Sequence, residues 1–262
     1  MLNSGRVALV TGGSSGIGEA FAEHFVKTGG SVALIGRSIE KLQNASNSIA
    51  THCGLTENKT DRIRYYQADV RDSERAEEIW DEVFSDFGKV DVLINNAAGN
   101  FICKAEELSA NGWNAVVQIV LNGTFFYSTA FARRLIARQQ PGAIVNVVAT
   151  YYANGGPGVC HSAAAKAGVV AFSKSVAVEW AKHRIRVNCI APGPIGDTGG
   201  ADRLWPTEEA YQRVLHSIPA GRLGSKEEIA KAMDWLASEQ ASFITGDVLT
   251  MDGGQSLGPI RF

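Results

Sequence analysis

The stretch Thr11-Gly12-Gly13-Ser14-Ser15-Gly16-Ile17-Gly18 follows a short apolar run, Val7 to Val10, and opens directly into amphipathic spacing from Ile17 to Thr28. A strand, a glycine turn and a helix N-terminus in succession gather backbone N–H groups and the positive end of a helix dipole at one point. That arrangement suits a pyrophosphate, and the strand-turn-helix setting separates it from an ordinary glycine turn.

Outward from this turn, short β-branched runs alternate with longer amphipathic ones. Strands are expected at Val7–Val10, Val32–Ile35, Ile63–Gln67, Val90–Ile94, Ile144–Val148, Arg186–Ile190 and Val248–Met251. Helical spacing covers Ile17–Thr28, Ile39–Ser48, Ser73–Phe87, Gly112–Arg138, Ser162–Lys182 and Glu227–Ser238. The expected fold class is α/β: a Rossmann-like, doubly wound, parallel seven-stranded sheet with helices on both faces, forming one domain over residues 1–262. Cys53 to Asp61 reads as a polar surface insertion, and Ile195 to Ile218, without strong period before Thr207, as a flap over a pocket.

Composition narrows the function. With 25 Lys+Arg against 27 Asp+Glu the formal charge is −2, which argues against a general nucleic-acid or membrane-surface binder. Glycine, 28 of 262 residues, is the one excess, and its expected use is in turns and close backbone approaches. Cys53, Cys103, Cys160 and Cys189 lie far apart, with neither a disulfide framework nor zinc spacing, so no metal is expected. The N-terminus runs straight into a strand pattern and no apolar run approaches bilayer length, so a cytoplasmic protein is expected.

The turn also resembles the Thr-Gly-x-x-x-Gly-x-Gly element of the short-chain dehydrogenase/reductase family. The likeness continues in Asp69-Val70 after the third strand, Asn95-Asn96-Ala97-Ala98-Gly99 after the fourth, Pro192-Gly193 after the sixth and Asp252-Gly253-Gly254 near the end. It covers nearly the whole chain and implies a nicotinamide cofactor. The cofactor site is then expected at Gly12, Ser14, Ser15, Gly16, Ile17 and Gly18. Asp69 and Val70 would flank the adenine and Asn96, Ala97, Ala98 and Gly99 the ribose side, with Ala98 where most of the family has glycine. The second strand ends Ile35-Gly36-Arg37-Ser38, so the acid that binds a ribose 2′-hydroxyl is missing. Arg37 offers a planar fork to a 2′-phosphate, with the Ser38 hydroxyl beside it, and NADP(H) is the expected cofactor.

The family's usual chemistry uses Tyr-x-x-x-Lys, the ammonium lowering the phenol pKa. In this chain the spacing falls on Ser162-Ala163-Ala164-Ala165-Lys166, and the serine position thirteen residues upstream is Ala149. An alkyl hydroxyl cannot replace the phenol as acid. Three further details resemble the 2,4-dienoyl-CoA reductase branch: Asn100-Phe101 extending the fourth-strand motif, Asn122 in Gln118–Thr124, and Tyr151 eleven residues before Ser162. The resemblance implies that Asn122 and Tyr151 donate hydrogen bonds to a thioester oxygen, that water protonates the α-carbon, and that Lys166 with Ser162 holds the nicotinamide ribose. Tyr152 competes with Tyr151, since a one-residue shift exchanges them. Pro192, Gly193 and Ile195 are expected to meet the nicotinamide carboxamide, Thr198 to take the family threonine's place, and Arg203 to approach the CoA phosphates.

The expected activity is NADPH-dependent reduction of an acyl-CoA, 2,4-dienoyl-CoA to 3-enoyl-CoA, in unsaturated fatty-acid β-oxidation, by a homotetramer that binds neither nucleic acid nor membrane. Two alternatives stay open. One is a 3-ketoacyl or trans-2-enoyl thioester reductase using Tyr151 or Tyr152 as acid; the other is an inactive NADP-binding regulatory protein.

Overall fold

A computed structural model of the chain describes residues 2–55, 61–197 and 207–258. Its strands are β1 (Val7–Thr11), β2 (Ser31–Gly36), β3 (Ile63–Gln67), β4 (Val92–Asn95), β5 (Gly142–Val147), β6 (Ile185–Pro192) and β7 (Val248–Met251). They form one sheet in the order β3-β2-β1-β4-β5-β6-β7, every pairing parallel. The order reverses between β1 and β4, and a sheet of this kind opens a ligand crevice at the carboxyl ends of the strands there. β4 begins two residues later than the apolar run Val90–Ile94 suggests; before it, Asp91 joins β1, its carboxylate accepting the Val7 N–H at 2.8 Å.

The alternation of β1 assigns its side chains to two layers. Val7 and Leu9 pack with Trp80, Tyr127 and Phe131 on one face, and Ala8 and Val10 with Phe21, Phe25 and Met233 on the other. Helices α1 (Gly16–Lys27), α2 (Ile39–His52) and α9 (Lys226–Ala237) supply the second face; α3 (Ser73–Phe87), α5 (Gly123–Arg138) and α7 (Cys160–Ala181) supply the first. Capping fixes several starts. The Asp72 carboxylate accepts the Glu74 and Arg75 N–H groups, and Ser225 with Glu228 forms a complete capping box.

The helix expected over Gly112–Arg138 is three pieces: α4 (Ala110–Val117), a π-helical turn (Gln118–Asn122) and α5. The Gly123 N–H reaches back to the Gln118 carbonyl, which widens the ring by one residue without breaking the rod. Contrary to the expectation from apolar runs, the whole stretch Ala110–Arg138 is long and apolar enough to cross a membrane, yet half of that apolar window is buried within this fold. Two further helices have weak or no period in sequence: α6 (Tyr151–Asn154) and α8 (Glu208–His216), the latter inside the expected flap.

Candidate active site

The glycine turn lies at the crevice. Gly12 and Gly16 both have positive φ, +64° and +59°, which glycine adopts without strain. A Cβ on Gly12 would lie 3.0 Å from Ala97 Cα, and one on Gly18 only 2.5 Å from Asn96 Nδ2 and the Gly12 carbonyl oxygen. A Cβ on Gly16 would meet nothing within 4 Å, so this glycine faces open space. Asn96 Nδ2 donates to the carbonyls of Thr11 (3.2 Å) and Gly12 (3.0 Å), and Thr11 Oγ1 accepts the N–H groups of Asn96 and Ala97. Ser15 starts α1 without a side-chain capping bond, leaving the first-turn N–H groups for a ligand. The turn thus fits a dinucleotide pyrophosphate.

A cleft of about 480 Å³ extends from this turn and brings together Gly12, Ser14, Ser15, Gly16, Arg37, Ser38, Asp69, Val70 and Asn96 to Asn100. Ile17 and Gly18 stand behind the lining, on the first turn of α1. A Cβ on Gly36 would come 3.4 Å from Ser14 Oγ and 3.2 Å from Leu42, so an acid there would crowd the cleft wall. Ser38 Oγ accepts the Lys41 N–H at 3.3 Å as the N-cap of α2, and a hydroxyl in that role keeps its own proton to donate. Lys41 lines the cleft too, a second cation beside Arg37 that the sequence pattern did not single out. Asp69 is held by Arg71 through Nε (3.0 Å) and Nη2 (2.6 Å); these bonds hold its carboxyl below the usual range despite partial burial. A free anion is therefore not presented to an incoming phosphate.

Of the two candidate tyrosines, Tyr151 carries the polar contacts. Its Oη lies 3.0 Å from Ser162 Oγ and 3.5 Å from Asn100 Nδ2, whereas Tyr152 packs on the apolar cluster of Val116, Val120 and Val148. A Cβ on Gly156 would sit 3.4 Å from Tyr151 Cβ and 2.7 Å from Val159, so only glycine lets this turn close beneath the ring. Burial raises the Tyr151 pKa and the bond with Ser162 opposes the shift only in part, so the phenol stays protonated at neutral pH and serves as a hydrogen-bond donor. Ser162 is thus Tyr151's hydrogen-bond partner.

Lys166 is buried, and its Nζ donates to the Val147 carbonyl at 2.6 Å. Burial pushes its pKa down to about 8, with Cys189 opposing. Asn122 closes the π-helical turn, and its side chain has no hydrogen-bond partner among the described residues. The turn is wedged in place: a Cβ on Gly123 would meet Val70 at 3.0 Å, one on Gly168 would meet Leu121 at 3.0 Å, and one on Gly99 would meet Ile119 at 3.2 Å. Single π turns of this kind recur at functional sites.

Beneath the site, Asn95 Nδ2 donates to Asn146 Oδ1 (2.8 Å) and Ser128 Oγ (2.9 Å), Asn146 Nδ2 to Ser173 Oγ (2.8 Å), and Cys189 Sγ to Ser173 Oγ (3.3 Å). All five side chains are buried, so this chain of bonds fixes the ends of β4, β5 and β6 to the helices that carry Asn122 and Lys166.

Part of the segment after β6 is bonded within the protein. The Gly193 N–H is already bonded to the Met251 carbonyl, and the Pro192 carbonyl accepts the Thr150 N–H. A Cβ on Gly193 would lie 2.5 Å from Asp252 Cβ, so this glycine serves the close approach of two chain segments. Ile195 is buried and bridges to Gly224. The Gly193 N–H and the Pro192 carbonyl therefore have partners within the protein. Thr198 and Arg203 lie outside the described residues.

A family model described as "Enoyl-(Acyl carrier protein) reductase" matches residues 12–256. A Bacillus subtilis protein named probable 2,4-dienoyl-CoA reductase [(2E)-enoyl-CoA-producing] is 49% identical over 98% of this chain and 99% of its own length. The mouse peroxisomal 2,4-dienoyl-CoA reductase [(3E)-enoyl-CoA-producing] is 39% identical over 95% of this chain and 83% of its own. Among solved structures, a short chain dehydrogenase from Bacillus anthracis superposes with a TM-score of 0.91 at 48% identity, covering 98% of this chain and 99% of that one. The glycine turn, the crevice at the strand reversal and these relatives together make the chain a member of the short-chain dehydrogenase/reductase family, an oxidoreductase that works with a nicotinamide cofactor.

Proposed function

We propose that the protein reduces a 2,4-dienoyl-CoA to a 3-enoyl-CoA with NADPH, in the oxidation of unsaturated fatty acids. The observation that carries this reading is the position of Tyr151: a half-buried, protonated phenol bonded to Ser162, while Lys166 stands on a backbone carbonyl with no tyrosine four residues before it. That is equipment for holding an oxygen rather than for delivering a proton to a ketone.

The cofactor supplies a hydride. With the hydride added at C5 of the dienoyl chain, the electron pair moves through the conjugated system to the thioester oxygen. Tyr151 Oη and the Asn122 amide donate to that oxygen, and donors aimed at developing charge lower the barrier most. Ser162 and Asn100 hold Tyr151 in place, and the Lys166 ammonium adds positive potential. Water then protonates C2, next to the held oxygen, and leaves the double bond at C3; protonation at C4 would instead give the product named for the Bacillus subtilis relative. Arg37, Lys41 and the start of α2 support NADPH over NADH. Assembly as a homotetramer is part of this reading and is supported by an apolar groove of about 500 Å³ between α5 and α7 that includes Phe125, Phe172 and Trp180. A cytoplasmic location is proposed on the four unpaired cysteines.

NADPH oxidation with a 2,4-dienoyl-CoA, a trans-2-enoyl-CoA and a 3-ketoacyl-CoA at equal concentration tests the proposal. Turnover confined to the dienoyl substrate, with an unconjugated enoyl product, is expected. Turnover confined to the ketone, or cofactor binding without turnover of any of the three, overturns it.

A further inference from the structure

His161 lies one residue before Ser162 in α7. It is fully buried, and neither ring nitrogen has a hydrogen-bond partner among the described residues. A neutral imidazole carries one donor and one acceptor, and burying both unmatched is unfavourable. Burial also lowers its pKa, in keeping with an uncharged ring. Its specific neighbour is Phe101, whose ring centroid lies 4.5 Å away at an interplanar angle of 46°. Phe101 also meets α4, where a Cβ on Gly112 would come 3.1 Å from its Cζ. The phenyl ring, 40% exposed, therefore lies against both helices.

The seat matters because of what Phe101 carries. Its N–H donates to Asn100 Oδ1 at 2.9 Å, which turns Asn100 Nδ2 toward Tyr151 Oη. The same loop is tied again to the turn that precedes α7, by the bond from the Cys103 N–H to the Gly158 carbonyl at 2.9 Å. No hydrogen bond among the described residues fixes the plane of the imidazole, so packing sets it, with the Phe101 ring as one of its faces.

We propose that His161 is a positioning residue for the oxygen-binding pair: it seats Phe101, and through the Phe101 backbone it holds Asn100 on Tyr151. The proposal rests on reading Tyr151 as the substrate donor. A hydroxyl displaced by a fraction of an ångström from its productive place loses much of its effect on the transition state, so the consequence falls on kcat.

Two variants and two readouts test it. His161→Ala removes the ring face; kcat with a 2,4-dienoyl-CoA should fall about tenfold, with the NADPH Kd unchanged. Amide exchange at Phe101 to Lys104 in the ligand-free protein should quicken in parallel, by about tenfold. His161→Phe keeps an aromatic face and discards the unmatched nitrogens; it should recover the exchange protection and most of the turnover, and raise Tm above that of the parent protein. Unchanged exchange and kcat in His161→Ala would overturn the proposal. So would a His161→Phe variant as slow as His161→Ala, since the nitrogens would then act on the substrate directly. If the parent protein turns over no dienoyl thioester while the exchange pattern holds, the functional reading fails and the seating of the loop stands.

Discussion

Replacing Tyr151 with Phe removes one oxygen whose surroundings are defined. Its Oη makes one good bond, 3.0 Å to Ser162 Oγ, and one long contact, 3.5 Å to Asn100 Nδ2. A neutral bond of this sort contributes about 1 kcal/mol net to folding. For a chain of this size that corresponds to a fall in Tm of about 2–4 °C. The same oxygen, as one of two donors to a dienolate, is expected to contribute about 2 to 4 kcal/mol to the barrier, roughly 30- to 1,000-fold in kcat. The catalytic effect therefore exceeds the structural one, and the two can be read separately. NADPH oxidation with saturating 2,4-dienoyl-CoA gives kcat, a thermal melt gives the folding cost, and cofactor titration should give a Kd within about twofold of the parent protein, since RT sets the scale of such small differences. A Tyr151→Phe enzyme retaining a third or more of its kcat would refute the donor role. Loss of turnover in Tyr152→Phe instead would transfer that role to the neighbouring ring.

Asn122→Ala should lower kcat by about 2 to 4 kcal/mol of barrier at unchanged NADPH affinity, measured in the same assay. Arg37→Glu should weaken NADPH binding about 100-fold or more while leaving NADH nearly unaffected, because a charge-assisted contact to the 2′-phosphate becomes a repulsion; equal effects on both cofactors in calorimetric titration would count against the assignment. Gly18→Ala should lose cofactor binding and melt earlier, since its Cβ would stand 2.5 Å from the Gly12 carbonyl oxygen and from Asn96 Nδ2. Lys166, with a pKa pushed from 10.5 to about 8 by burial, binds fewer protons folded than unfolded between those values. Stability should therefore rise with pH across that window, while turnover falls above about pH 8 as the ammonium is lost; Lys166→Met should abolish the stability trend seen in denaturant titrations.

Most of the frame is legible in the sequence because its signals are local. Ile63–Gln67, Ser73–Phe87 and Val248–Met251 have the bounds their pattern indicates, and the β1 turn is specified by glycines whose absent Cβ atoms are visible in one dimension. What is hidden depends on packing across the chain. A π turn shifts a helical period by only one residue, so Gln118–Asn122 vanishes inside a long amphipathic run. A four-residue helix at Tyr151 is too short to show a period at all. The bond from Lys166 to the Val147 carbonyl and the contact of Ser162 with Tyr151 join residues whose separation follows no helical or strand spacing. Gly193 is legible as a glycine, but its reason, the approach of Asp252, lies 59 residues away.

The buried bonds from Asn95 through Asn146 to Ser173 have a consequence for folding fidelity. Asn95 and Asn146 are direct partners in the β4–β5 pairing, so their amides meet only when the two strands are aligned as observed. A slip of one residue turns one amide to the opposite face and strands the other in an apolar layer, where an unmatched amide costs about 1–3 kcal/mol. The strands here are Val- and Ile-rich and buried on both sides, a pattern that tolerates sliding because neither face is polar. The asparagine pair acts as an index mark on an otherwise featureless ruler, and because it joins the segments that carry Asn122 and Lys166, a misaligned sheet cannot carry an assembled site.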